Sequence, residues 1–228
     1  MLLKKFLCAL FFITIMQIGA IAQSQAAKWD STYRPNNYAL KVGEFESFPN
    51  ASTDIIFLGN SITAGIDWNE LLAIPQARNR GISGDITFGV LERLDEVIEG
   101  KPAKVFVLIG INDISRNIPD SVILENYKKI IDRIKAGSPR TKIYFQTLMP
   151  VNNTFTKFKN HYNKDVHIKS VNDGLKKISA EENITLVDLH PHFLDEEGRL
   201  IKSFTEDGLH LNAEGYKVWK KVLLPYLM

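Results

Sequence analysis

The stretch "IIFLGNSITAG", residues 55–65, holds four apolar residues that stop at Gly59, followed by Asn60 and Ser61. A run this short, bounded by glycine and dense in β-branched and aromatic side chains, has the length of a strand buried on both faces. Its carboxyl end carries Ser61. A serine ahead of a helix is ordinarily an N-cap whose hydroxyl satisfies a free backbone N–H. A strand's carboxyl edge is also where an α/β fold exposes a nucleophile. The surrounding sequence has to separate the two readings.

Outward from this stretch, strands and helices alternate. Residues 67–74 read as a short helix. Residues 86–99 carry Val90, Leu91, Leu94, Val97 and Ile98 at helical spacing, and residues 121–136 repeat the stripe with Tyr127, Ile130, Ile131 and Ile134. Residues 166–182 form a third amphipathic segment. The chain closes with a helix from Ala213 whose inner face is Tyr216, Trp219, Val222 and Leu223. Between these segments, residues 105–109, 142–148 and 185–189 read as buried strands. Apolar strands separated by amphipathic helices predict a parallel sheet covered on both faces, a three-layer α/β/α domain. Ligands bind such sheets outside the carboxyl ends of the strands. Ser61 occupies one such end, and the turn Gly110-Ile111-Asn112-Asp113 occupies the next.

A length of 228 residues suits one sizeable core and is short for two domains. Lys4 and Lys5 precede an apolar run over residues 6–15, and the small-x-small sequence Ala20-Ile21-Ala22 follows. This reads as a cleavable signal peptide of bacterial type over residues 1–22, with Ala26-Ala27 as a fallback site. The protein is therefore expected to be secreted or periplasmic. The apolar run is short for a membrane span, so no stable membrane insertion is expected after cleavage. Cys8, the only cysteine, lies inside the run and away from the position a lipoprotein signal requires. The mature chain then has no disulfide, thiol nucleophile or thiolate metal site. The formal charge of +2 comes from Lys4 and Lys5, and without them 26 basic residues balance 26 acidic ones. A neutral chain with no long basic run is a poor nucleic-acid binder. Residues 23–53 are expected to pack on the domain as a polar segment with a short helix around 38–48. The domain proper spans residues 54–228.

A serine becomes nucleophilic beside a base, usually histidine held by a carboxylate. Of the five histidines, His161, His167, His190, His192 and His210, only His210 has an acid in an obvious local arrangement. In Asp207-Gly208-Leu209-His210 a turn through Gly208 folds the carboxylate back onto the imidazole. Acyl transfer also needs donors for an oxyanion. The Ser61 N–H at a helix start is one, and the Asn112 side chain is a second. The stretch "NRGISGD", residues 79–85, offers a third through backbone that Gly81 and Gly84 leave accessible.

These four blocks, in this order, resemble the SGNH hydrolases, also called the GDSL-type esterase/acylhydrolase family. The matching residues are Ser61 in Gly59-Asn60-Ser61, Gly84 in Ile82-Ser83-Gly84-Asp85, Asn112 in Gly110-Ile111-Asn112-Asp113, and His210 in Asp207-Gly208-Leu209-His210. The resemblance covers residues 54–220. Its flanks look closest to secreted sialate O-acetylesterase-like and platelet-activating-factor-acetylhydrolase-like members. It implies a flavodoxin-like, five-stranded parallel sheet and a Ser61, Asp207, His210 triad. It further implies an oxyanion hole of Ser61, Gly84 and Asn112, with neither metal nor organic cofactor. The expected substrate is a small-molecule or carbohydrate ester, above all an acetyl ester. One departure stands out: Asn60 replaces the family's usual aspartate, which the resemblance assigns a loop-holding role. The alternative serine-hydrolase pattern G-x-S-x-G fails, because Thr63 stands where the second glycine belongs.

Other readings remain beside this one. A lysophospholipase or lipase-type acylhydrolase, or a catalytically silent carbohydrate-binding protein, fits the same scaffold. Asp188, His190 and His192 alternate as metal ligands on a strand would, although Pro191 interrupts that strand. Lys157, Lys159 and Lys164 interleave with Phe155, Phe158 and Tyr162. They read as a solvated charged loop, and one long enough near a strand end to shape a pocket. Trp68 reads as a core anchor.

Overall fold

Five parallel strands make the sheet of the computed structural model, which describes residues 29–227. The expected signal peptide, residues 1–22, lies outside the described residues. In chain order the elements are α1 (Tyr38–Glu46), β1 (Ile55–Gly59), α2 (Ser61–Ala64), α3 (Trp68–Leu72), β2 (Ala77–Gly81), α4 (Thr87–Glu92), α5 (Leu94–Glu99) and β3 (Lys104–Leu108). There follow α6 (Ile111–Ser115), α7 (Asp120–Gly137), β4 (Lys142–Gln146), α8 (Asp165–Glu181), β5 (Thr185–Val187) and α9 (Ala213–Leu227). The sheet order is β2-β1-β3-β4-β5. The switch of direction falls beside β1, where such sheets bind ligands.

The apolar runs form strands because both of their faces are covered. Phe57, Phe106 and Tyr144 sit opposite one another on β1, β3 and β4. Their rings stack in a ladder, with centroids 5.0 and 4.4 Å apart. Trp68 extends the ladder by stacking on Phe57 at 4.0 Å, and it meets Trp219 of α9 edge-on. Its Nε1 donates to the Thr63 carbonyl at 2.9 Å, so the indole is a core anchor with its one donor satisfied. On the opposite face Tyr127 of α7 packs against Phe145 of β4, and α4, α5, α7 and α8 pack side by side. Of the described residues ahead of β1, those of α1 lie against the loop after β2 and against α4. Tyr38 and Phe45 bury with Ile82, and the Tyr38 hydroxyl donates to the Gly89 carbonyl at 2.7 Å.

Register brings the functional turns to one level. Gly59, the last residue of β1, pairs with Gly81 at the end of β2 and Leu108 at the end of β3. The three turns that follow therefore start together on one rim. At Gly59 any side chain would collide with the Leu108 carbonyl and the Thr63 side chain, so α2 can seat only on bare backbone.

Three elements differ from what the pattern predicts. Residues 77–81, Ala-Arg-Asn-Arg-Gly, form the fifth strand although they contain no apolar run. As the sheet edge, β2 has only β1 as neighbour, and polar and charged side chains are what an edge tolerates. The helix expected over 86–99 is two helices, broken at Arg93, whose side chain is drawn inward to Asp85 and the Gly59 carbonyl. Residues 188–189 leave the sheet, and His190–Phe193 is a 3-10 turn.

Candidate active site

Asn60 ends the turn after β1 in extended backbone and caps α2, its Oδ1 accepting from the Ile62 N–H at 3.0 Å. This is the bond an aspartate there would also make, so the departure at Asn60 keeps the cap and removes a charge. Ser61 is thereby fixed as the first helical residue. A first-turn N–H has no intrahelical acceptor, so the Ser61 N–H stays available to a ligand.

The Ser61 hydroxyl lies 2.9 Å from His210 Nε2, and His210 Nδ1 lies 2.9 Å from Asp207 Oδ2. The other carboxylate oxygen, Oδ1, accepts from the backbone N–H groups of Leu209 and His210 at 3.1 and 2.8 Å. Burial pushes the Asp207 carboxyl up, but the His210 and Leu209 hydrogen bonds outweigh it, and the group stays below its usual range. Asp207 is thus an anion aimed at one ring nitrogen, which makes that nitrogen the donor and frees Nε2 to accept the serine proton. The turn is itself held in place. Thr205 Oγ1 accepts from the Asp207 and Gly208 N–H groups, and the Tyr162 hydroxyl donates to the Asp207 carbonyl at 2.5 Å. Phe158 closes the outer side, its ring 4.9 Å from the imidazole and edge-on to it.

Across a cleft of about 360 Å³ from this line stand Gly84 and Asn112. Gly84 follows β2 at φ +82°, a conformation that favours glycine, and it turns the backbone toward the cleft. Asn112 lies on the first turn of α6. Its Nδ2 spends one proton on the Asp85 carbonyl at 2.9 Å, and an amide carries a second. The loops that present the two residues are tied together. Asp113 accepts from the Thr87 N–H and hydroxyl, and buried Arg93 bridges Asp85 to the Gly59 carbonyl. The five residues singled out in the sequence, Ser61, Gly84, Asn112, Asp207 and His210, therefore meet on one rim.

Residues 57–218 match the GDSL-like Lipase/Acylhydrolase family. The chain belongs to that family. Among GDSL relatives, a solved structure from Streptococcus pneumonia named for platelet activating factor is 30% identical, with a TM-score of 0.77, over 84% of this chain and 92% of that one. Platelet-activating factor acetylhydrolase IB subunit alpha2 of Rattus norvegicus is 27% identical over 169 residues, 72% of this chain and 71% of that protein. The N-acylneuraminate cytidylyltransferase of Streptococcus agalactiae serotype III (strain NEM316) is 26% identical over 181 residues, 79% of this chain. The chain spans only 40% of that relative's length. What this membership shows is a domain of the lipase/acylhydrolase family over residues 57–218.

His161 is a site residue that no sequence pattern singles out. Its Nε2 lies 2.9 Å from Asn112 Oδ1, and it lines the cleft with Phe158. Burial, reinforced by His210 and Arg116, lowers its pKa to about 4. The ring is neutral at neutral pH. Because an amide oxygen only accepts, Nε2 carries the proton and donates it, which fixes which way round the Asn112 amide sits. His190, by contrast, has its Nδ1 against the Leu148 carbonyl. Among the described residues no group of three or more His, Cys, Asp or Glu side chains is placed to hold a metal ion.

Proposed function

We propose that the protein is an exported serine esterase that removes short acyl groups, acetyl above all, from a carbohydrate. The observation that carries this reading is the unbroken hydrogen-bonded line Ser61–His210–Asp207 beside a cleft that also holds Gly84 and Asn112. Ser61 Oγ attacks the ester carbonyl carbon while His210 Nε2 takes its proton. The carbonyl oxygen becomes an oxyanion, held by the Ser61 and Gly84 N–H groups and the free proton of Asn112 Nδ2. The carbon–oxygen bond to the carrier breaks, and the imidazolium returns its proton to the leaving alcohol. Water, deprotonated by His210, then releases the acid from Ser61. No step calls for a metal or an organic cofactor.

The acetyl preference draws on the acetylhydrolase among the relatives. The sugar carrier draws on the N-acylneuraminate relatives and on residues 152–167, rich in Asn, Lys and single aromatics. Among the described residues no helix is long and apolar enough to cross a membrane. In this reading residues 1–22 are the signal peptide, residues 23–53 pack on the domain, residues 54–228 are the hydrolase domain, and the mature protein works in the periplasm or outside the cell. A chain-length series of p-nitrophenyl esters from acetyl to palmitoyl, compared by kcat/KM, tests the acyl group. A maximum at acetyl is expected, and a maximum at octanoyl or longer would make the protein a lipase or lysophospholipase. Acetate release from acetylated sialic acid and acetylated xylo-oligosaccharides tests the carrier.

A further inference from the structure

The cleft that holds Ser61 contains one permanently charged side chain, and the reaction above does not use it. Arg116 lines the cleft with Ser83, Gly84, Asn112 and Ser115. It caps α6 four residues after Asn112, one helical turn along, so it shares that residue's side of the cleft. Its guanidinium lies over the Tyr33 ring, 3.1 Å from the centroid. A guanidinium held over an aromatic face keeps its in-plane N–H donors at the edge, in the fork that matches an oxyanion.

Those donors have no internal acceptor among the described residues. Arg34, Arg78, Arg80, Arg93, Arg133 and Arg199 each pair with a carboxylate; among the described residues Arg116, like the exposed Arg140, pairs with none and donates no side-chain hydrogen bond. Asp30 feels Arg116 only through space, and its Oδ1 accepts from the Thr32 N–H and hydroxyl. The residues lining the cleft include no Asp or Glu. The adjoining cleft, which shares the Phe158 and His161 wall, adds Lys157 and Lys159. A half-buried arginine kept unpaired beside a nucleophile, in a cleft without negative charge, suits a ligand that brings the charge itself.

We propose that Arg116 is an anion subsite and that the natural ester carries a carboxylate or phosphate within reach of it. This rests on the esterase reading and narrows its substrate class from acetyl esters in general to those that carry an anion. Tyr33, from the segment ahead of α1, positions the guanidinium.

The test compares 4-acetoxybenzoate with its uncharged methyl ester, methyl 4-acetoxybenzoate, by kcat/KM for acetate release at low ionic strength. The wild-type protein is expected to prefer the carboxylate by about tenfold or more, the scale of one charge-assisted contact, and to lose preference as salt rises. In Arg116→Gln the ratio should collapse to about one; in Arg116→Lys it should fall between, because charge remains and the fork is lost. A wild-type ratio near one, or a preference that survives Arg116→Gln, overturns the subsite. Replacing the carboxylate by a phosphate, in 4-acetoxyphenyl phosphate, tells which anion it favours. If neither compound releases acetate, the esterase reading falls. Calorimetric binding of 4-hydroxybenzoate against 4-hydroxybenzamide, with wild type and Arg116→Gln, then still decides the subsite: tighter carboxylate binding that depends on Arg116 supports it, and equal binding refutes it.

Discussion

His161 holds Asn112 by its amide oxygen. Its Nε2–H donates to the amide oxygen, while its Nδ1 is buried with no partner among the described residues. An unpaired buried acceptor is costly, and it leaves the ring only one good orientation. Without this donor only the Asp85 carbonyl holds the Asn112 amide, and its second N–H is no longer fixed on the proposed oxyanion position. His161→Leu should therefore lower kcat on p-nitrophenyl acetate by about tenfold to a hundredfold, the scale for losing one oxyanion donor, with little change in KM. His161→Gln, whose amide can also donate, should recover part of the loss; equal losses in the two variants would remove the orienting role. A stability signature follows from the same burial. The folded pKa of about 4 lies below the ordinary 6.5, so the unfolded chain takes up a proton first as pH falls. The stabilising contribution is full above about 6.5 and is lost as pH drops toward 4. Urea unfolding should show wild type losing stability relative to His161→Gln across that window, and a constant difference would contradict it. None of this was legible beforehand. The Asp207–His210 pair lies three positions apart and shows as a local pattern. His161 and Asn112 lie 49 residues apart, and only the folded loop over residues 152–167 joins them.

The elements that carry the site divide in the same way. β1 and β3 are apolar runs and read directly from sequence, because both faces are buried. β2 reads as a loop, since its Arg78, Asn79 and Arg80 answer to local partners. Asn79 Nδ2 donates to carbonyls of residues 63, 64 and 66, and Arg80 pairs with Glu96 at 2.6 Å inside the fold. The break between α4 and α5 is equally hidden, because the helical stripe runs through Arg93 while its side chain turns inward. That turn links three elements, the end of β1, the loop holding Gly84 and the end of α4, through Arg93, Asp85 and the Gly59 carbonyl. Arg93→Met should leave Asp85 as a buried carboxylate without its partner and cost about 3–5 kcal/mol. Chemical denaturation at pH 7 measures it, and a loss below about 1 kcal/mol would show that the pair is not what joins these elements.

At the scale of the whole molecule, the α/β class follows from the alternation of runs and stripes, but the order β2-β1-β3-β4-β5 is written in no single segment. It depends on Phe57 pairing with Phe106, and Phe106 with Tyr144, across long stretches of chain. The ladder of rings those pairs form is the middle of the core, and Phe106 is fully buried within it. Phe106→Ala should cost about 3–5 kcal/mol in a single cooperative urea transition; a loss under 1 kcal/mol would show that the ladder does not hold the sheet. The same sheet brings Ser61 to His210 across 149 residues, so the reactivity of Ser61 belongs to the folded chain. Labelling with a fluorophosphonate, followed by peptide mass spectrometry, reads that reactivity directly. One adduct per chain is expected, on Ser61, absent from Ser61→Ala, strongly slowed in His210→Gln and lost in denaturing urea. An adduct on another residue, or undiminished labelling in either variant, would contradict it.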